Sequence, residues 1–370
     1  SSIRPFVHSS IRPQSRGPPM IHMNYASQAL LPEVSARAAA TVYAQYAAAG
    51  SLPFDVWRGI ADTARRRAAD LAKVPPSDIA FVASTTHGLH CAMHLVPWEP
   101  GDRVVVSGAF PTILAPWMYG ELPGVRPEFL PWTDPDAVLA GIAAAAARGP
   151  VRAVFVDWVH YITGRALPLE KVRLLIGPDG YLVADVMQGL GLLPSPARHV
   201  DIMVAGGTKW LMGPEGTGIL YLNPARRWNS GPVGWLSAEY EGFTHCMPPR
   251  PPDPGARRLE AGTRNTPGIA ALSQSINLIL EAGDPWRVVQ PMVQALISGG
   301  RELGLQPSAD RPESGIVGLA FPDPVSVAAV LLDRGVRVSA RDTWLRISPH
   351  FVNTMDEVQA LLSILALLAG

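Results

Sequence analysis

The sequence predicts an α/β fold, with a large domain built on a mainly parallel sheet and a smaller C-terminal α+β domain. Short apolar runs alternate with helical stretches through the middle of the chain, as is typical of a parallel sheet with helices on both faces. The chain has 370 residues, more than one hydrophobic core usually serves. We therefore expect a tail at residues 1–20, a large domain over 21–265 and a small domain over 266–370, with residues just after the tail packed against the small domain.

The predicted tail lacks the pattern of a secretory signal. Ser-Ser-Ile-Arg-Pro occurs at 1–5 and again at 9–13, and Arg4, Arg12 and Arg16 stand among Ser and Pro without an apolar core. A signal peptide needs such a core. We expect residues 1–20 to be disordered and to take no part in the fold.

Apolar runs bounded by turn residues mark the strands of the large domain. We predict strands at 79–84, 103–107, 152–158, 181–186, 201–205 and 218–222, and an alanine-rich helix at 136–148 that ends before Gly149-Pro150. In sheets of this kind ligands bind at the C-terminal ends of the strands. The proline-rich segment 247–255 is typical of an exposed loop.

The remaining elements form the small domain. Helices are predicted at 271–281, 286–297 and 326–333, and strands at 316–321, 336–339 and 344–347. A last helix begins at Thr354-Met-Asp-Glu357, which has the spacing of a capping box before an apolar run.

Composition argues against several classes of function. The 31 basic and 31 acidic residues give zero formal net charge, and no block of like charge occurs, so neither nucleic acid nor an anionic membrane is an expected partner. No apolar run approaches the roughly 18 residues of a membrane span. Two cysteines, Cys91 and Cys246, cannot build a disulfide framework, which favours a reducing, cytoplasmic compartment.

Two residues at strand ends suit one cofactor. Asp185 closes the apolar run at 181–186, and Lys209 follows the run at 201–205. Pyridoxal 5′-phosphate needs a lysine for its imine link and a carboxylate on its ring nitrogen. Gln188, on the turn after Asp185, could donate to the ring's phenolate oxygen. Taken singly, Asp185 could be a turn aspartate and Lys209 a solvated surface lysine.

A candidate phosphate site lies after the first predicted strand of the sheet. Ala83-Ser84-Thr85-Thr86-His87-Gly88 opens a helix with small hydroxyl residues, and the N–H groups of a helix N-terminus bind phosphate oxygens. An ordinary Ser/Thr N-cap has the same pattern.

Further motifs stand in a recognisable order along the chain. They are Asn24-Tyr-Ala26-Ser, Thr85-Thr86, Asp185-x-x-Gln188, Thr208-Lys209, Arg258-Leu-Glu-Ala-Gly-Thr263 and Leu-Arg346-Ile-Ser. Together they resemble the class V aminotransferase family, a group of fold-type I pyridoxal-phosphate enzymes with cysteine desulfurases, kynureninases and isopenicillin N epimerase-like proteins among its members. The resemblance runs from about residue 23 to the C-terminus. It implies a seven-stranded type of sheet and pyridoxal 5′-phosphate as cofactor.

The resemblance also implies roles for individual residues. Arg346 corresponds to the arginine that binds the substrate α-carboxylate, and a planar guanidinium suits that task. Asn24 and Ala26 match the opening element near the substrate. Thr263 matches a threonine that reaches the phosphate of the neighbouring subunit, which implies a homodimer with shared active sites. The implied cofactor contacts are Thr85, Thr86, Phe110, Asp185, Gln188, Thr208, Lys209 and Thr263.

Departures from the family pattern narrow the reaction. Desulfurases carry a nucleophilic cysteine before the strand of Arg346, whereas residues 338–344 contain none. Their ring-stacking histidine is replaced by Phe110, which cannot relay a proton, so Lys209 takes more of the acid–base work. Tyr161 stands where desulfurases have an asparagine near the phenolate, and we expect it to donate a hydrogen bond or a proton.

These features predict a lyase that acts on an amino acid or a cysteine S-conjugate. We expect C–S cleavage by β-elimination, with Lys209, Asp185 and Tyr161 as catalytic residues, in secondary sulfur metabolism. Transamination, epimerisation or decarboxylating deamination of an amino-acid conjugate would use the same residues and remains open. A partner subunit without turnover is a further alternative, which the intact set of Asp185, Lys209 and Arg346 disfavours.

One helix face carries a rival signal. His87, His90, Cys91 and His94 recur at helical spacing and are residue types that bind zinc. Three or four ligands on one unbroken helix are geometrically awkward, so we predict no metal site.

Overall fold

In the described part of the chain, a short strand and two long helices precede the main sheet. The computed structural model describes residues 20–120, 122–238 and 251–369. Strand β1 is Ile21–His22, and helices α1 and α2 are Glu33–Ala49 and Phe54–Ala72. Pro32 and Pro53 stand directly before the two helices. Proline is tolerated at a helix start because the first N–H groups of a helix have no partner within it.

A seven-stranded sheet forms the centre of the molecule. Its strands are β2 (Ile79–Phe81), β3 (Arg103–Ser107), β4 (Arg126–Leu130), β5 (Ala153–Asp157), β6 (Tyr181–Asp185), β7 (Ile202–Gly206) and β8 (Gly218–Leu222). Their order is β2-β8-β7-β6-β5-β3-β4. Strand β8 runs antiparallel to both of its neighbours, β2 and β7, and the other pairs of this sheet are parallel. The predicted α/β fold with a mainly parallel sheet is confirmed.

Helices cover both faces of this sheet. Helices α3 (Thr85–Leu95) and α4 (Pro111–Tyr119) lie on one face, and α5 (Pro135–Ala147), α6 (Leu169–Ile176) and α7 (Thr266–Ala282) lie on the other with α2. Along β3, Val105 contacts the core of the second face, while Val104 and Val106 contact the core of the first. Strands buried on both faces need continuous apolar runs, which explains why these strands could be recognised in the sequence.

The C-terminal part adds a smaller antiparallel sheet. It contains α8 (Pro285–Glu302), β9 (Val317–Ala320), α9 (Pro324–Asp333), β10 (Val336–Arg337), β11 (Ser339–Arg341), β12 (Trp344–Ile347) and α10 (Met355–Ala369). Strands β11, β12 and β9 form a three-stranded sheet, and β10 pairs in parallel with β1. The predicted smaller α+β unit is confirmed, and the division of the chain at residue 265 stays a prediction.

The start of α10 has the capping box that its sequence predicts. The Glu357 N–H donates to the Thr354 hydroxyl at 3.3 Å, and the Thr354 N–H donates to Glu357 Oε2 at 3.2 Å. The two bonds satisfy donors that a helix start otherwise leaves unpaired.

Three expectations concern segments at the margins of the described chain. Residues 1–19, Cys246 and residues 247–250 lie outside the described residues. Within the described ranges, Cys91 is a free, buried thiol. No helix there is both long and apolar enough to cross a membrane.

Gly88 lets α3 lie directly on the sheet. A Cβ at this position would stand 2.4 Å from Cγ1 of Val204 on β7, whereas a Cβ at Gly59 in α2 would meet nothing within 4 Å. We predict that Gly88→Ala lowers the free energy of unfolding by about 1–3 kcal/mol through overpacking. Gly59→Ala, the matched control, should raise it by ~0.5–1 kcal/mol. Urea unfolding of both variants measures the difference, and a Gly88→Ala protein as stable as wild type would contradict the contact.

Candidate active site

The C-terminal ends of neighbouring strands meet at one cavity of about 350 Å³. Asp157 ends β5, Asp185 ends β6, and Lys209 follows the end of β7. Asp157 pairs with Asp185 in the strand register. The cavity brings together eight of the residues that the sequence predicts for the site: Thr85, Thr86, Phe110, Tyr161, Asp185, Gln188, Thr208 and Lys209.

Lys209 is held in the cavity by a tight turn. The Gly213 N–H donates to the Gly207 carbonyl at 2.7 Å, and the Met212 N–H donates to the Lys209 carbonyl at 3.0 Å. A Cβ at Gly207 would lie 2.3 Å from the Thr217 hydroxyl oxygen, so the turn needs glycine there. The chain has only three lysines, and the other two, Lys73 and Lys171, are exposed. Burial lowers the pKa of Lys209 to about 8, against the opposing effect of Asp185.

Asp185 is a partly buried acid beside this amine. Its Oδ1 accepts from the Met187 N–H at 2.8 Å. Burial raises the pKa of Asp185 to about 6, while the Met187 N–H and Lys209 act in the opposite direction.

A second acid of the site, Asp157, is buried, and the sequence analysis did not predict it as a site residue. Its Oδ2 accepts from the N–H groups of Ala109 at 2.8 Å and Phe110 at 3.2 Å. Its Oδ1 is buried and has no hydrogen-bond partner in the described part of the chain. Burial and the neighbouring Asp185 raise the pKa of Asp157 well above its usual range. Asp157 ends an apolar strand just as Asp185 does, and that pattern could have identified it.

The start of α3, where the sequence predicts an anion site, lies beside the lysine turn. The Thr85 hydroxyl accepts from the Gly206 N–H at 2.9 Å, which joins α3 to the end of β7. Ser84 is the N-cap and accepts from the His87 N–H at 3.1 Å. Thr86 is exposed in the first turn. The first N–H groups of a helix have no partner within it, and here they border the cavity.

Aromatic and amide groups line the opposite wall. The Phe110 ring lies 5.5 Å from Lys209 Nζ and meets Tyr161 edge-on at 5.1 Å. Gln188 donates from Nε2 to the Ala26 carbonyl at 3.0 Å and accepts from the Trp210 indole at 2.9 Å. Its side chain is therefore fixed, with one amide N–H not used by these contacts.

Four predicted site residues do not line this cavity. Arg346 is almost fully buried, and it donates to the Tyr161 carbonyl at 2.7 Å and to the hydroxyls of Ser339 and Ser27. Thr263 is exposed in an adjoining cavity that shares Ala83, Gly216 and Thr217 with the first.

The remaining two of these four, Asn24 and Ala26, lie behind Gln188. Asn24 Oδ1 is buried without a partner among the described residues, and Ala26 donates its N–H to the Ser348 hydroxyl at 3.0 Å.

The histidine face of α3 shows no metal centre. His87 Nδ1 accepts from the Ala83 N–H at 3.2 Å, and His90 and His94 contact each other edge-on. Within the described ranges, no three residues of the His, Cys, Asp and Glu types are grouped so that they could hold a metal ion.

The family follows from a match over most of the chain. The model of the aminotransferase class V family matches residues 22–295. The chain belongs to this family. Pyridoxal 5′-phosphate is the cofactor of the family, and the chain is a pyridoxal-phosphate-dependent enzyme, as the motifs predicted.

Individual relatives of this class V enzyme differ in activity. Isopenicillin N epimerase of Streptomyces clavuligerus is 31% identical over 267 residues, which are 64% of this chain and 65% of the epimerase. The probable hercynylcysteine sulfoxide lyase of Mycobacterium tuberculosis is 27% identical over 326 residues, 81% of this chain and 78% of the lyase. A solved structure of a cystine C–S lyase with its product cysteine persulfide has a TM-score of 0.83 at 22% identity, covering 94% of this chain and 97% of that chain. This last likeness concerns the fold.

The cavity of this class V enzyme fits the family's cofactor. It brings together the Lys209 amine, the Asp185 carboxyl, an aromatic ring and a helix N-terminus. The groups therefore suit an aldehyde, a ring nitrogen, a ring face and a phosphate, respectively. The neighbouring Asp157 adds a buried oxygen that has no partner among the described residues.

Asp157 offers a test of charge against hydrogen bonding. Because burial and Asp185 raise the pKa of Asp157 and so favour its uncharged form, Asp157→Asn should keep stability within about 1 kcal/mol, since the amide oxygen can still accept from Ala109 and Phe110. Asp157→Ala leaves both N–H groups unpaired and should cost about 2–4 kcal/mol, with about half of that from the cavity it creates. Thermal unfolding of the apoprotein at pH 7 checks both values. Equal losses in the two variants would mean that the charge itself is required.

Proposed function

We propose that this enzyme cleaves the C–S bond of a cysteine S-conjugate, or of its sulfoxide, by β-elimination. The observation that carries the proposal is a cavity with an amine of lowered pKa and, among the described residues that line it, no thiol. Cys91, the one cysteine in the described part of the chain, is buried, and burial raises its pKa to about 11. The segment before β12 is a short hairpin without cysteine.

We assign the cofactor to the cavity residues as follows. Lys209 would hold the aldehyde carbon, Asp185 would face the ring nitrogen, and Phe110 would contact the ring. Gln188 would donate its remaining amide N–H to the phenolate oxygen. Thr85, Thr86 and Thr208 would bind the phosphate, with Thr263 from a second copy of the chain in a homodimer. When bound, pyridoxal phosphate supplies an electrophilic carbon for the substrate's amino group and a ring that accepts electrons from the substrate Cα.

Lys209 supplies the base. After the substrate's amino group has replaced it, the amine can take the proton from the substrate Cα. A pKa of about 8 leaves a useful fraction of the amine uncharged near neutral pH, which suits a general base. Asp185, held by the Met187 N–H, stabilises positive charge at the ring nitrogen.

The sulfur leaves with its own substituent. The electron pair released at Cα forms the Cα–Cβ double bond while the Cβ–S bond breaks, and the thiolate takes up a proton. Tyr161 lines the cavity beside Phe110, and in this proposal it donates that proton. Water then completes the balance: the conjugate and one water give a thiol, pyruvate and ammonium, and a sulfoxide gives a sulfenic acid in place of the thiol.

Arg346 binds the substrate α-carboxylate in this assignment. Its guanidinium is fixed by Ser339, Tyr161 and Ser27, so little freedom is lost on binding. Asn24 and Ala26 support the same side, Ala26 by anchoring Gln188.

Epimerisation is the second candidate, because isopenicillin N epimerase is 31% identical to this chain over 267 residues. It needs proton return to Cα instead of loss of sulfur. Transamination and decarboxylating deamination use the same groups but have no further support in this chain.

The cofactor assignment predicts a single site of covalent attachment. Borohydride reduction of the yellow protein should fix the cofactor to Lys209, and peptide mass mapping should locate it. Lys209→Ala should abolish fixation, while Lys171→Ala, at an exposed lysine, should retain it. A colourless protein that stays so with added cofactor, or fixation at Lys171, would contradict the assignment.

The reaction predicts its own products. Incubation with S-alkyl cysteines and their sulfoxides should give equal amounts of pyruvate, ammonium and sulfur product, with kcat falling at least about 100-fold in Lys209→Arg because a guanidinium is a poor base. Pyruvate is measured with lactate dehydrogenase. Exchange of the Cα proton in D₂O without pyruvate would instead identify an epimerase.

A further inference from the structure

Two arginines lie side by side on one face of a hairpin near the active site. In the hairpin of β11 and β12, Ser339 pairs with Arg346 and Arg341 pairs with Trp344. Side chains two residues apart on a strand share a face, so Arg341 and Arg346 are diagonal neighbours, at a separation that long side chains span.

Both guanidiniums converge on a single hydroxyl. Arg341 Nη2 donates to Ser27 Oγ at 3.2 Å, and Arg346 Nη2 donates to the same oxygen. The other recorded acceptors of these two arginines are the Ser339 hydroxyl and the carbonyls of Tyr161 and Ala340. All of these acceptors are neutral. Across the described ranges, neither guanidinium has an acidic side chain within 4 Å.

Two uncompensated cations at one place are electrostatically unfavourable. Arg346 is 1% exposed, and burial together with Arg341 lowers its pKa to about 9. Proteins usually pair buried charges. Here the pairing charge must come from a ligand.

The arginine pair is electrostatically coupled to the catalytic cavity. Arg346 bonds the carbonyl of Tyr161, whose side chain lines the cavity. Arg346 and Arg341 both lower the pKa of Lys209. One α-carboxylate supplies one negative charge, and it leaves the second cation without a partner.

We propose that Arg341 and Ser27 form a subsite for a carboxylate on the sulfur-linked part of the substrate, beside the α-carboxylate on Arg346. The inference rests on the proposed function and specifies its substrate class: cysteine conjugates whose thiol fragment is itself an acid. Charge-assisted hydrogen bonds of this kind select for an acid over a neutral group of the same shape.

Two nearly isosteric substrates test the subsite. S-carboxymethylcysteine carries the second carboxylate, and S-carbamoylmethylcysteine replaces it with an amide. Wild type should prefer the acid by about tenfold in kcat/KM, the size expected for one charge-assisted hydrogen bond. Arg341→Gln should bring the ratio close to one. Arg346→Lys should lower kcat/KM alike for both substrates. The control Arg334→Gln, at an exposed arginine after α9, should keep the wild-type ratio.

The ratio of kcat/KM for the acid to that for the amide distinguishes a carboxylate subsite from a structural role of Arg341. If Arg341→Gln lowers kcat/KM equally for both substrates, Arg341 serves the α-carboxylate or the hairpin, and the proposal is wrong. An unchanged ratio in Arg341→Gln overturns it as well.

A binding measurement works without turnover. Glutarate and its monoamide differ by the same charge, and isothermal titration of the holoenzyme should give about tenfold tighter binding of glutarate, a difference lost in Arg341→Gln. Pyruvate from both conjugates at equal rates, with no preference for glutarate, would overturn the subsite and leave the lyase function standing. No pyruvate from any conjugate, with an Arg341-dependent preference for glutarate, would refute the lyase function and support the subsite.

Discussion

The mutual dependence of Lys209 and Asp185 is the constraint around which the site is built. Burial disfavours the charged form of each group, lowering the pKa of Lys209 from 10.5 to about 8 and raising that of Asp185 from 3.8 to about 6. Between those two values both are ionised, and each is then the other's compensating charge. A parallel sheet that ends at a helix-covered edge makes this possible, because it shields both groups from most of the surrounding water.

The same burial opposes folding of the apoprotein. Between pH 8 and 10.5 the unfolded chain holds more protons on Lys209 than the folded one, so stability rises with pH. Between pH 3.8 and 6 the folded chain holds more protons on Asp185, so stability falls as pH rises. Near neutral pH the chain therefore carries the cost of both charges. A cofactor that pairs with both groups would recover part of this cost, which links cofactor binding to folding.

The sequence predicts strands well where both of their faces are buried. It predicts them poorly where a strand is exposed or pairs with a strand that is distant in the chain. Gly218–Leu222 matches its predicted bounds because all of its residues are buried. Trp344–Ile347 matches because a tight turn precedes it. The edge strand Arg126–Leu130 was missed because its residues are largely exposed and include Pro127. The predicted strand at 336–339 is divided in two, since Val336–Arg337 pairs with Ile21–His22, a partner some 300 residues away in the chain that no local pattern can reveal.

The residues of the candidate site likewise divide into those that the sequence could predict and those that it could not. Asp185 and Lys209 could be recognised because strand ends of a parallel sheet meet at one edge. Asp157 has the same position but was not recognised, since its importance lies in its pairing with Asp185 across the register. Arg341 lies on the face of Arg346 only because Asp342, at φ 53°, allows a two-residue turn.

The turn between β11 and β12 has a chemical consequence. A hairpin this short presents fixed cations and no thiol, so the hairpin itself offers no nucleophile to which sulfur could be transferred. In the proposed reaction the enzyme recognises the whole conjugate, and the charge on the departing fragment becomes the feature that the hairpin can select.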